Sequence, residues 1–448
     1  MFAKAFLVTA VLAGVLAPAS AADVTIYRDA TIIDGKGGAS VPHMAVIVEG
    51  ETISAVTPVA DLSATEMDGA KVVDLSGAYL MPGLIDSHQH MATPPDHPRA
   101  LAQMRRDLYG GITAVRIMAD DLRAVGDYAR ASAQGEIAAP DIYYAALMAG
   151  PDFFDDPRTA AAAKGVKPGT APWMQAITPD TDMPLAIARA KGTSAIGVKL
   201  YDNLHPAELK RITAEAHKQG MFVWAHGMVF PSAPEDVVAA GVDVISHTCY
   251  LAYQVMNPRP TTYKDRRPVE TEKLQGGDNP VMAKIFRDMA AKGIALDATI
   301  RVYREMDDRY AATPKMKQPY CTADLAAILT KQAYDLGVKI VAGTDVVPPR
   351  EAAFPALYDE LVLLNEKVGM PAGAVIRAAT YEGARILGQD GTFGTIEAGK
   401  RADFIVTGSD PLASLANVRD IRFTVKRGKR YDRADYKGIT AAEMPDEE

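Results

Sequence analysis

Gly83-Leu84-Ile85-Asp86-Ser87-His88-Gln89-His90-Met91 is the stretch on which the fold turns: a glycine opens it, an apolar run follows, and two histidines stand near its far end. In extended backbone the i, i+2 spacing points both imidazoles to one side. Seven later stretches repeat the plan, at 111–118, 141–147, 195–201, 221–226, 242–247, 294–299 and 338–345. Between them lie segments with helical spacing, such as Pro206-Ala207-Glu208-Leu209-Lys210-Arg211-Ile212 and onward to Gln219, often ended by glycine. Eight strand–helix units across roughly 300 residues predict a (β/α)8 barrel of the TIM type, in the α/β class.

Three connections, 150–184, 251–280 and 302–322, exceed what a simple loop needs. Each follows a strand, so each is expected over the mouth of the barrel. The two ends of the chain read differently. Segments 24–27, 44–48 and 52–56, then 402–406 and 421–425, are short and β-like between Gly, Asp and Pro. They predict one small composite β-sandwich domain from residues 23–80 and 389–435, around a barrel spanning 81–388 and followed by a tail at 436–448.

Candidate ligands gather at the C-terminal ends of the strands, where barrel enzymes carry their sites. Besides His88 and His90 they are His226 closing the fifth stretch, His247 closing the sixth and Asp345 closing the eighth. The fourth stretch contributes Lys199. A bare ammonium has donors and no acceptor, so it is a poor ligand. Carbamylation by carbon dioxide converts it to an anionic carboxylate able to bridge two cations, and burial favours this by exposing the neutral amine. Unmodified, an interior lysine would repel any cation bound by its neighbours.

Pro82-Gly83-Leu84-Ile85-Asp86-Ser87-His88-Gln89-His90 resembles the opening motif of the amidohydrolase superfamily, Pro-Gly-x-Ile-Asp-x-His-x-His. Gly394-Thr395-Ile396-Glu397-Ala398-Gly399-Lys400-Arg401-Ala402-Asp403-Phe404 is similar to the return into the β domain that flanks such barrels. The lysine on strand four looks most like the imidazolonepropionase-related group, which includes metal-dependent dipeptidases with a carbamylated lysine. The resemblance implies that His88, His90 and Asp345 bind the more buried of two divalent ions, that His226 and His247 bind the other, and that carbamylated Lys199 bridges them. Zinc is the default ion, with manganese, iron and cobalt as alternatives. Asp345 is implied as general base and acid. Residues 111–118 lack an aspartate that peptidase members carry there, and Ala149-Gly150-Pro151-Asp152-Phe153-Phe154 replaces their glycine-rich stretch.

Tyr201 shares the face of Lys199, so its phenol is a candidate for a substrate carbonyl or oxyanion, or a packed aromatic at the mouth. Arg301, past the seventh strand, is a candidate for a substrate carboxylate, with surface ion pairing as the plainer role. His205 is a rim candidate or a loop residue. His43, His97 and His217 receive no chemistry.

The resemblance implies an amide or peptide substrate, with a lactonase, esterase or phosphotriesterase as the rival on the same ligands. A mononuclear deaminase is disfavoured, because His226 is followed by Gly227, Met228 and Val229 rather than by an acid. A non-catalytic scaffold is disfavoured because the ligand set is complete.

The formal net charge of −8 is spread without long runs of one sign, which argues against a nucleic-acid partner. Lys4 precedes a 12-residue apolar run, Ala5 to Leu16, and small residues follow at Ala19 and Ala21. This reads as a signal peptide over residues 1–22, too short for a stable membrane anchor, and predicts a periplasmic or secreted enzyme. Cys249 and Cys321 are either one disulfide or two buried thiols. A homo-oligomer is compatible with all of this.

Overall fold

The computed structural model describes residues 24–313 and 315–445; the signal-peptide reading of 1–22 lies outside them. Eight parallel strands form the barrel: Leu84–Gln89, Ile112–Met118, Asp141–Ala149, Gly197–Leu200, Phe222–His226, Val244–Ser246, Ala295–Asp297 and Ile340–Val341. Each falls inside or overlaps one of the eight stretches read from the sequence. The last strand meets the first through Ser87 N–H to Ala342 O at 2.8 Å and Asp345 N–H to His88 O at 2.9 Å.

Local chemistry explains the helices between them. Asp96, Asp121, Asp182, Asn279 and Thr322 each cap a helix by accepting backbone N–H bonds, three of them with proline in the first turn. Gly293, at φ 73°, ends the helix Pro280–Lys292 in the left-handed conformation that glycine adopts without strain.

Inside the barrel, Ile85, Ala114, Ala145, Trp224, Val244, Ala295 and Val341 pack into one cluster, closed below by Ala384, Leu387 and Phe393. Trp224 is fully buried, and the Arg116 guanidinium lies 4.7 Å from the centre of its ring. The larger core lies between the strands and the surrounding helices.

Both chain ends contribute to a separate eight-stranded mixed sheet. Val24–Ile32, Val41–Glu49, Thr52–Pro58, Lys71–Asp74 and Tyr79–Pro82 come from one end, and Phe404–Thr407, Ile421–Lys426 and Lys429–Asp432 from the other. Tyr27, Val46, Leu80, Phe404 and Phe423 share its core. Asp141, at the start of the third barrel strand, joins the two bodies: Arg401 at 2.7 Å, Lys426 at 2.9 Å and Arg427 at 3.0 Å surround its carboxylate. Gly83 links sheet to barrel with no room for a side chain, since a Cβ there would lie 2.1 Å from Thr113 Oγ1.

The three long connections do sit at the mouth. The first carries Phe153, Arg158 and Met174, with the short strand Met174–Ala176 paired to the third barrel strand at Leu147. The second brings Tyr263 and Arg266, and the third Met306 and Tyr320. Cys249 and Cys321 form a disulfide with Cα atoms 6.1 Å apart, tying the third connection to the turn after the sixth strand. Of the tail, Ile439 and Met444 pack on Ala102, and Arg105 grips Glu443 through two nitrogens. No helix among the described residues is long and apolar enough to cross a membrane.

Candidate metal centre and active site

Strand ends deliver the six expected residues to one cavity of about 250 Å³, lined by His88, His90, Lys199, His226, His247 and Asp345 together with Tyr201. His88, His247 and Asp345 place ligand atoms within 4.8 Å of one another, as a shared metal ion requires. Asp345 is the hub. Its Oδ1 lies 3.3 Å from His90 Nε2 and 3.8 Å from His88 Nε2, and its Oδ2 lies 3.8 Å from His247 Nε2. His226 is next to His247, with ring centroids 4.9 Å apart, and its other face stacks on Tyr250.

Backbone geometry aims these groups. His247 has φ 69°, Thr299 φ 49° and Asp345 φ 53°, so three adjacent strands end in the left-handed region. Each such residue costs about 1–3 kcal/mol and persists only where its surroundings hold it. Gly343 is required for a different reason: a Cβ there would come within 2.3 Å of Asp297 Oδ1 and 2.9 Å of His88 Cβ.

Three of the imidazoles are oriented from behind. His88 Nδ1 pairs with Asp297 Oδ2 at 2.7 Å, His90 Nδ1 with Asp120 Oδ1 at 2.8 Å, and His247 Nδ1 with Thr299 Oγ1 at 2.8 Å. Such partners fix the tautomer so that Nε2 presents its lone pair to the cavity. Asp297 Oδ2 also accepts from Arg116 at 2.9 Å and Ser246 at 3.0 Å. Asp120 is held by the backbone N–H of Met91 and Ala92.

Electrostatics follow burial first and neighbours second. Burial and the nearby Lys199 charge hold His226 well below the usual histidine range; burial and His88 do the same for His247. Burial works against a charged His90, yet Asp120 and Asp345 push it up to about 10. Burial alone would raise Asp345, but the surrounding imidazoles keep it ionised. Burial, with Arg116 adding repulsion, pulls the Lys199 amine down to about 7.

Among the described residues, two nitrogen atoms of the six candidate ligands are left over. Lys199 Nζ and His226 Nδ1 are buried with no hydrogen-bond partner. Orphaned polar atoms are costly in a protein interior, and a cation shared among imidazoles and carboxylates would satisfy His226 while a carbamate would satisfy Lys199. The residues present therefore fit divalent metal.

Tyr201 lines the cavity, its ring 4.0 Å from His226 and its hydroxyl 3.4 Å from that of Tyr263. Arg301 and His205 do not reach the cavity. Arg301 is occupied by Asp359 at 3.3 Å and Glu305 at 3.5 Å and faces a different depression, because the helix Ile300–Ala312 begins at once and turns it outward. His205 is exposed and caps the helix Pro206–Lys218, donating its backbone N–H to Glu208 at 3.0 Å.

Sequence reading missed Asp297, Asp120 and Arg158. The first had a visible signal, a carboxylate closing the apolar run Ile294-Ala295-Leu296-Asp297. Asp120 lies two residues past its strand, where nothing distinguishes it from its neighbour Asp121. Arg158 enters the cavity from the first long connection, held by Asp156 at 2.7 Å.

Known proteins share this fold. A curated relative, a 5-methylthioadenosine/S-adenosylhomocysteine deaminase from Desulforudis audaxviator (strain MP104C), is 24% identical over 367 residues, covering 75% of this chain and 74% of its own. A Xaa-Pro dipeptidase structure superposes with TM-score 0.72 at 21% identity, covering 92% of this chain and all of the other. The A. niger ochratoxinase structure superposes with TM-score 0.71 at 21% identity, covering 93% and 98%. At such identities the structures speak for the fold. The sequence model of the Amidohydrolase family matches residues 79–431, most of the chain and every candidate ligand of the cavity, and this chain is an enzyme belonging to that family.

Proposed function

We propose that the chain is an exported hydrolase of an amide or peptide C–N bond that works with two divalent cations, zinc by default, held by His88, His90, His226, His247, Asp345 and a carbamate on Lys199. The observation that carries this reading is the convergence of five ligand side chains on one cavity with an unpaired, buried lysine among them. An amine drawn down to about 7 is partly neutral near neutral pH. Its nitrogen can bond to carbon dioxide and release one proton, leaving an anion where a bare ammonium would repel the ions.

When bound, such cations supply a Lewis acid for the scissile carbonyl and lower the pKa of a water molecule toward neutrality. Asp345, ionised among the imidazoles, takes the proton of the attacking water and returns it to the departing amine. Tyr201 sets its phenol at the cavity wall, where it can donate to the carbonyl oxygen as charge develops. Met118, Leu147, Phe153 and Met174 give one side of the cavity an apolar wall that limits water around the reacting bond, while Thr93, Arg158 and Thr159 keep the rest polar.

The deaminase likeness gives a second reading little support, since Gly227, Met228 and Val229 leave no carboxylate after His226. Export rests on the Lys4 to Ala22 pattern and suits the Cys249–Cys321 disulfide, which persists in oxidising compartments. Purified enzyme offered dipeptides, N-acyl amino acids, lactones and aryl esters should release amines from the first two groups with the higher kcat/KM. Preferential turnover of the lactones or esters would overturn the C–N assignment.

A further inference from the structure

Beside the catalytic cavity lies a second, larger one of about 580 Å³, between the first, second and third long connections. Phe153 lines both. Tyr201 on the inner side and Tyr263 on the outer side complete the partition, with hydroxyls 3.4 Å apart and the Phe153 ring tilted against Tyr201 at 4.4 Å. The two cavities are neighbours across this aromatic wall, and a long substituent of a substrate held in the inner one would enter the outer one past the Phe153 ring.

The outer chamber carries a carboxylate, Asp202, that the backbone N–H groups of Asn203 and Tyr263 and the charge of Arg266 stabilise only in part. Asp202 is 94% buried, with a relative exposure of 6%, yet its Oδ1 has no hydrogen-bond partner. It directly follows Tyr201 in sequence, so the barrel fixes its position beside the wall. Asp152 and Asp155 add exposed carboxylates at the same rim.

The chamber's own cations make their hydrogen bonds and ion pairs elsewhere, although the charge of Arg266 is felt at Asp202. Arg266 donates to Tyr250 Oη at 2.7 Å and packs its guanidinium 3.7 Å from the centre of the Tyr263 ring. Arg309 is paired with Glu305 at 2.5 Å, Lys264 lies 3.5 Å from Asp155, and Lys317 donates to Arg266 O. No ion pair involves Asp202 among the described residues.

We propose that this outer chamber is a subsite for a cationic side chain of the substrate, an ammonium or guanidinium held by Asp202 at the aromatic partition. A buried carboxylate oxygen left without a partner is costly until a charged donor arrives, so the site discriminates between a cation and its neutral isostere. The inference builds on the hydrolase reading for its position beside the reacting bond, and its test separates the two.

Dipeptides with arginine on either side of the scissile bond, each matched to the uncharged isostere citrulline, are the probes. The full-length, zinc-loaded enzyme is measured for kcat/KM by amine release and for affinity by calorimetry. Arginine at one of the two positions should be favoured by about 10- to 100-fold, the scale of a charge-assisted hydrogen bond. Asp202→Asn should remove the preference while the zinc content stays at the wild-type value. Asp152→Asn, at an exposed position that cannot disturb packing, should reduce it by a smaller factor. Equal handling of arginine and citrulline by the wild type, or a preference that both variants keep, would overturn the subsite. A binding preference in an enzyme that cleaves neither peptide would instead leave the subsite standing and count against the C–N reaction.

Discussion

Asp297→Asn isolates the charge behind the proposed metal centre from its hydrogen bonds. All three donors, His88 Nδ1, Arg116 and Ser246, converge on one oxygen, Oδ2. An asparagine can place its carbonyl there and accept all three. What it cannot supply is the negative charge facing Arg116, whose side chain, like that of Asp297, has 0% exposure. Removing one partner of a buried pair costs about 3–5 kcal/mol, far more than an exposed pair would. The histidine loses a basic partner as well, which corresponds to a 10- to 100-fold weaker metal affinity by order of magnitude.

The assay is urea unfolding followed by tryptophan fluorescence, with metal affinity measured by chelator competition. Burial raises the Asp297 carboxyl, but His88 and Arg116 outweigh it and hold the group below its usual range. A depressed carboxyl stabilises fully above its unfolded value and loses that contribution as pH falls through the folded one. The gap between variant and wild type should therefore be complete at pH 7 and narrow once the pH drops below about 4. A loss under about 1 kcal/mol at pH 7, with metal affinity unchanged, would refute the reasoning, because that is the scale of an exposed ion pair.

Gly343→Ala should cost about 1–3 kcal/mol by overpacking and release metal, since its methyl group meets Asp297 and His88; calorimetric melting with metal analysis checks both. Replacing Cys249 and Cys321 by serine opens a loop with sequence separation 72, and the chain-entropy relation puts the loss at roughly 4 kcal/mol in denaturant midpoints. Glu360 is pushed up to about 8 by burial while it caps Ile300 and Arg301. A raised carboxyl gives stability that is full at low pH and is lost as pH rises toward that value, so Glu360→Gln should flatten the decline in stability between pH 5 and about 8.

Much of this architecture could be read from the chain because barrel strands announce themselves as short apolar runs and their last residues face the site. The six cavity residues from His88 to Asp345 all lie at such ends. Arg301 and His205 also lie near strand ends, but helices start immediately after Thr299 and His205 and rotate both side chains away, a difference of a few residues in helix onset that spacing does not reveal. Asp120 and Arg158 depend on loop paths, and Asp202 is distinguished only by what fails to touch it. Those facts are tertiary. The pairing of Cys249 with Cys321 likewise needed the third connection to fold back over the mouth.

Metal stoichiometry of the purified enzyme, measured by plasma mass spectrometry beside the 13C spectrum after exchange with labelled carbon dioxide, tests the centre most directly. About two divalent ions per chain and one carbamate resonance are expected, and Lys199→Ala should lose both the resonance and the ions. A fully active wild type with no divalent ion, or a Lys199→Ala variant that keeps two ions and full activity, would contradict the account.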